Sequence, residues 1–152
     1  ANYDSDESAS SRLRFWKSAL IHAYKNPLLG GGIGNWRIHS IKYDSEDMFS
    51  YVVPYYAHND LIEILAETGI FGFLAYLSFF FFIFKNNLSQ LIMWMNNQTN
   101  YIPILFALVF IVYFADVNFN FPIDRPSIQV IVLIYLALLL ANHKTLLSYE
   151  KK

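Results

Sequence analysis

From Ile70 to Phe84 the chain carries no charged residue, and the run follows closely on a polar group, Ala57-His58-Asn59-Asp60. A stretch of this kind predicts a helix that starts amphipathic at Leu61 and turns wholly apolar after Ile70. Counted from Leu61, the apolar-dominated run is long enough to cross about 30 Å of hydrocarbon at about 1.5 Å per residue. The His58 imidazole, a group that titrates near neutral pH, then stands one or two turns above the point where the chain passes into lipid. Two further stretches, Tyr101–Ala115 and Pro126–Asn142, are also free of charge. Charged residues make up 15% of the chain, against roughly 25% in soluble domains, and they crowd into the first half and the tail. Soluble proteins spread charge over their surface helices, so this segregation predicts an all-α membrane protein. Its polar part is residues 1–60 and its membrane part residues 61–152, with helices over about 61–84, 101–117 and 127–147. The formal net charge of −1 gives no sign of nucleic-acid binding. The absence of cysteine excludes disulfides and thiolate metal sites.

The opening ANYDSDESASS is acidic and Ser-rich, with no secretory signal, and reads as a flexible lead-in. It does not begin with Met, which with three spanning candidates suggests a C-terminal fragment of a longer multi-span protein. Ser10 or Ser11 can cap a helix over about 12–25, with Leu13, Trp16, Ala19, Leu20, Ala23 and Tyr24 on one face. Asn26-Pro27 ends it. The glycines of LLGGGIGNW read as a hinge between two helices. No strand precedes them and no Gly-Lys-Ser/Thr follows, so a phosphate loop is the poorer reading. Trp36–Tyr43 suits a short helix, and Asp44–Tyr56 a loop. Asp60 as N-cap with Glu63 three residues on makes a capping box. Lys85-Asn86-Asn87 is expected to stop the first span, with Leu88–Met95 an interfacial piece beyond it. Asp116–Arg125 reads as a polar-aromatic loop. Lys85, Lys144, Lys151 and Lys152 fall on one side, which the positive-inside rule makes cytoplasmic.

Four blocks, in order, resemble the O-antigen ligase and polymerase family of bacterial membrane glycan transferases. They are Ser11-Arg12-x-x-x-Trp16-Lys17-x-Ala19-Leu20; Asn26-Pro27-Leu28-Leu29-Gly30-x-Gly32-x-Gly34-Asn35-Trp36; Ala57-His58-Asn59-Asp60-x-Ile62-x-x-x-Ala66-Glu67-x-Gly69-x-x-Gly72; and Asn120-Phe121-Pro122. The resemblance implies a periplasmic helical loop carrying part of the active site, followed by about three transmembrane helices in the bacterial inner membrane. It implies transfer of a glycan from undecaprenyl diphosphate to an acceptor hydroxyl, on the lipid A–core sugar in a ligase. In the polymerase and the protein-glycosylating branch the acceptor is another lipid-linked glycan or a protein. Membrane lipids are the remaining implied partner, and no cofactor or metal is implied. By position His58 matches the family's catalytic His, Arg12 the Arg of its first block and Glu67 the acid before Gly. Arg14, Asn59 and Arg125 fall in the neighbourhood as substrate-binding candidates.

The residue types suit that chemistry. A diphosphate leaving group gathers charge on its oxygens, which guanidinium forks bind bidentately without losing their own charge. The attacking hydroxyl needs a base, and an imidazole titrating near neutrality supplies one. Each residue also has a structural reading. His58 can be a cap before a helix. His22 sits mid-helix as a structural residue, and His39 is left open. Arg12 can be a surface charge, though at a helix N-terminus it would oppose the dipole. Arg125 can pair with Asp124, and Glu67 can orient the His-bearing helix. His58, Glu63 and Glu67 lack the spacing of a zinc motif. Outside the enzyme class, a transporter or a non-catalytic membrane subunit would use His58 and the glycines for gating.

Overall fold

The structure is a computed structural model, and it describes residues 3–44, 55–97 and 101–150. These form helices α1 (Tyr3–Lys25), α2 (Trp36–Asp44), α3 (Asp60–Asn97), α4 (Ile102–Phe119) and α5 (Pro126–Glu150), with a 3₁₀ turn at Pro122–Asp124. Among the described residues there is no strand, so the fold is all-α as the apolar patterning predicts. Windows within Asp60–Asn96, Ile102–Phe119 and Pro126–Leu146 are long and apolar enough to cross a membrane. The loop expected over Asp44–Tyr56 lies largely outside the described residues. The chain divides into two compact units, Ala1–Tyr76 with Val117–Phe121, and Leu77–Asp116 with Pro122–Lys152.

In the first unit, α1 starts at Tyr3, well before the expected position near residue 12. Its buried face also differs in part from the one expected. Phe15, Ala19, His22 and Ala23 point inward, while Leu13 (62% exposed), Leu20 and Tyr24 (87% exposed) point out. The alanines decide this. Trp36 of α2 fills a core made of Ala19, Ala23, Ala57 and Ala66, with Ile62 and Leu65 packed against it. Only small side chains leave room for an indole where helices meet closely.

α3 is broken once. Gly69 takes φ 64° and ψ −164°, outside helical space. In an unbroken helix the Ile70 N–H would donate to the Ala66 carbonyl. Here it donates to the Pro27 carbonyl at 2.8 Å. The freed Ala66 and Glu67 carbonyls accept from Gly31 N–H at 2.9 Å and Gly32 N–H at 2.8 Å. The glycine turn between α1 and α2 thus supplies the bonds that the break removes. The approach is close in both directions. A Cβ on Gly69 would collide with the Leu28 backbone, and one on Gly30 with the Glu67 backbone. Both glycines also have positive φ, which other L residues adopt only at a cost.

In the second unit, α3 does not stop at Lys85-Asn86-Asn87 but runs on to Asn97. The asparagines are accommodated rather than expelled. Asn86 and Asn87 donate back to the Phe82 and Ile83 carbonyls at 2.8 and 3.0 Å. Facing α5, Asn87 Nδ2 also donates to the Tyr135 hydroxyl at 2.7 Å and Gln90 Nε2 to the Leu139 carbonyl at 2.9 Å. Asn142 Nδ2 donates to Gln90 Oε1 at 2.6 Å, and His143 Nδ1 lies 2.9 Å from Asn86 Oδ1. Buried amides stitch membrane helices in this way because no water competes for them. Ile83, Tyr135 and Leu139 form the apolar core beside this ladder, with Phe79, Phe106 and Phe110 against it. α4 continues two residues past Val117 and ends at Phe119, so the expected loop is shorter than Asp116–Arg125.

Candidate active site

His58 lies two residues before α3, and its two chain neighbours are each held by a hydrogen bond. On one side, Glu63 Oε2 accepts the Ala57 N–H at 2.7 Å. On the other, Asn59 Oδ1 accepts the Ile62 N–H at 3.1 Å, which makes Asn59 the N-cap of α3. The N-cap is therefore Asn59 rather than Asp60, and the expected capping box does not form, because Glu63 reaches back to the Ala57 N–H instead. Asp60 becomes the first residue of the helix and is fully buried. A side-chain amide suits this position better than a carboxylate, because it accepts and donates at once. Asn59 Nδ2 donates to the Asn118 carbonyl at 3.1 Å while Oδ1 caps the helix. Both ends of the amide are thus engaged within the protein.

His58 itself has φ 55°. The left-handed region costs an L residue about 1–2 kcal/mol, and His is among the few residues enriched there. A strained backbone that its surroundings over-determine is a pointer to function. The half-buried imidazole stacks on Phe15 of α1, with centroids 6.5 Å apart and planes at 22°. It meets Phe121 edge-on at 5.3 Å, and Phe121 stacks flat on Tyr56 at 4.1 Å. The site therefore draws together residues 15, 56, 58 and 121, far apart in the chain. Phe121 stands in a block with a recognisable pattern, whereas nothing in the sequence singles out Phe15 or Tyr56 as neighbours of His58.

The Arg14 guanidinium carbon lies 5.4 Å from the centre of the Phe15 ring. Arg12 stands one turn before Phe15 on the same face of α1, and both arginines are half-buried. Because α1 starts at Tyr3, Arg12 is well inside the helix, and the dipole argument for a functional role lapses. Glu67 Oε1 accepts the Trp36 N–H at 2.9 Å, placing a carboxylate at the N-terminus of α2. This bond ties the His-bearing half of α3 to α2. Arg125 belongs to the second unit. Its carbonyl accepts from Ile128 and Gln129 N–H at 3.0 and 3.2 Å as α5 begins.

His39, left open by the sequence, packs between α1 and α2. Its ring stacks on His22 at 4.3 Å, and His22 Nδ1 lies 3.2 Å from the Tyr43 hydroxyl. Burial holds the His22 pKa below its ordinary value of 6.5, with His39, Lys25 and Lys42 adding to the effect. The sign follows from linkage. Below pH 6.5 the unfolded chain takes up a proton that the folded imidazole resists, so stability is full above 6.5 and falls as the pH drops through the lowered value. Amides of α1 and α2 should therefore exchange hydrogen faster relative to the intrinsic rate as pH falls from 7.5 to 5. A His22→Gln variant should flatten that dependence by at most about 1.4 kcal/mol per pH unit.

Three helices long and apolar enough to cross a membrane, the first of them headed by the segment that bears His58, mark the chain as a membrane protein. The O-antigen ligase family model matches residues 1–77 of the 152, and the chain belongs to that family. The family is one of ligase- and polymerase-type glycan transfer. The matched stretch takes in Arg12, Arg14, His58, Asn59 and Glu67. No curated protein and no solved structure matches the chain.

Proposed function

We propose that the chain carries part of the active site of an enzyme that transfers a glycan from undecaprenyl diphosphate to an acceptor hydroxyl, with the lipid A–core sugar as acceptor. The first unit would face the periplasm above the bacterial inner membrane. His58 takes the proton from the acceptor hydroxyl as its oxygen attacks the anomeric carbon. The bond from that carbon to the diphosphate breaks, undecaprenyl diphosphate leaves, and the anomeric centre inverts. Arg12, with Arg14, stabilises the charge that gathers on the leaving diphosphate. Asn59 and Glu67 serve this reading as positioning residues, one fixing the turn that carries the imidazole and the other the helix behind it. The observation that carries the proposal is the His58 backbone at φ 55°, held between hydrogen-bonded neighbours and flanked by Phe15 and Phe121.

The test uses the gene that encodes this chain, deleted and then complemented, with envelope glycans and glycoproteins resolved on a gel. Wild type should restore a glycan-modified species that the deletion lacks. Arg12→Lys should lower transfer about tenfold or more and leave lipid-linked precursor to accumulate, because a point charge cannot reproduce the bidentate fork. The species that shifts names the acceptor: a core lipid, a lengthened glycan chain or a protein. A deletion strain with unchanged glycans and no accumulated precursor would overturn the transferase reading.

A further inference from the structure

We propose that the turn Pro27–Ile33 is a membrane-inserting edge of the first unit, with Leu28, Leu29 and Ile33 seated at the acyl–headgroup boundary of the bilayer that α3 crosses. The turn is fastened to α3 at the level where that helix turns apolar. Ile70 N–H donates to the Pro27 carbonyl at 2.8 Å, and the Leu28 backbone rests against Gly69. The level follows from where the charge-free run begins. Glu67 is the last charged residue of α3 before that run, so the helix enters the bilayer just past it, and a turn bonded to Ile70 sits at that boundary.

The side chains at this level are those a lipid boundary takes up. Leu28 is 59% exposed, Leu29 77% and Ile33 84%, and Ile70, Phe71 and Leu74 of α3 are exposed as well. Exposed large aliphatics gathered on one turn are unusual on a water-facing surface. Exposed Lys25 precedes the turn and exposed Arg37 and Lys42 follow it, the flanking pattern that binds anionic headgroups while the apolar tip inserts. Part of the backbone of the turn is bonded within the protein. The N–H groups of Gly30, Gly31 and Gly32 are bonded to the Asn26, Ala66 and Glu67 carbonyls, and residue 27 is a proline with no N–H to satisfy.

This inference needs only the membrane character of the chain and stands apart from the glycan-transfer proposal. Its test places a single cysteine in the protein by Leu29→Cys, Ile33→Cys or, as a water-facing reference, Lys17→Cys. Each is spin-labelled in vesicles of phosphatidylcholine and phosphatidylglycerol. Collision with oxygen and with a water-soluble nickel chelate is then compared. Labels at 29 and 33 should favour oxygen and lose nickel collisions relative to the label at 17. Nickel collisions at 29 and 33 equal to those at 17 would put the turn in water. Poor collision with both reagents would put another protein segment over it, and either outcome overturns the proposal.

Discussion

His58→Ala should lower glycan transfer about 10²–10⁴-fold, the range that a positioned general base contributes, while the protein still inserts. The measurement is the initial rate of transfer from a purified lipid-linked donor, alongside the amount of enzyme in the membrane. A His58→Gly variant separates chemistry from fold. Glycine adopts φ 55° without the penalty that alanine meets there. It should therefore be about 1–2 kcal/mol more stable than His58→Ala and equally slow. Added imidazole should restore part of its rate by entering the space between Phe15 and Phe121. If His58→Ala transfers within a few-fold of wild type, the base lies elsewhere and the strain at residue 58 serves the fold alone.

Gly69→Ala should be the most damaging conservative change in the first unit, at about 3–5 kcal/mol. The new methyl would run into the Leu28 backbone, which cannot rotate aside as a side chain can. Relieving the clash means parting the turn from α3, and with it the bonds from Ile70, Gly31 and Gly32. The left-handed penalty at φ 64° adds to that. Hydrogen exchange at Gly31 and Gly32 should accelerate about 10²-fold or more. Gly72→Ala is the informative contrast. Its methyl would collide with Thr68 Oγ1 and Cβ, which strains α3 locally and breaks the Thr68 bond to the Ile64 carbonyl but leaves the bonds of the turn in place, so exchange at Gly31 and Gly32 should stay slow. Equal effects at the two glycines would show that the junction between turn and helix is not what α3 depends on.

The features legible in the sequence share a physical origin in local pattern. The charge-free runs gave the three spanning helices, because lipid admits few other residues over such a length. The family blocks marked His58 and Phe121 because they are short strings in a set order. Capping was legible only to within a residue. Asn59 and Asp60 are both good N-caps, and the choice between them turned on Asn118, fifty-nine positions away. The buried face of α1 was legible in part for a similar reason. Ala19 and Ala23 are buried as expected, but Leu13, Leu20 and Tyr24, which satisfy the same helical spacing, are exposed, because Trp36 on the facing helix packs against the two alanines. Lys85-Asn86-Asn87 looked like a stop because the partners of Asn86 and Asn87 on α5 cannot be seen from α3.

By itself, then, the sequence determined the class: helices, a membrane, and a polar segment bearing an imidazole ahead of the first span. Those follow from composition and order over a few turns, where each residue's solvent preference acts on its own. Only the tertiary structure decided that α3 is broken at Gly69, that the glycine turn replaces the bonds the break removes, and that Phe15 and Phe121 flank His58. Each of these depends on groups brought together from distant parts of the chain, and their energies exist only once the backbones have met.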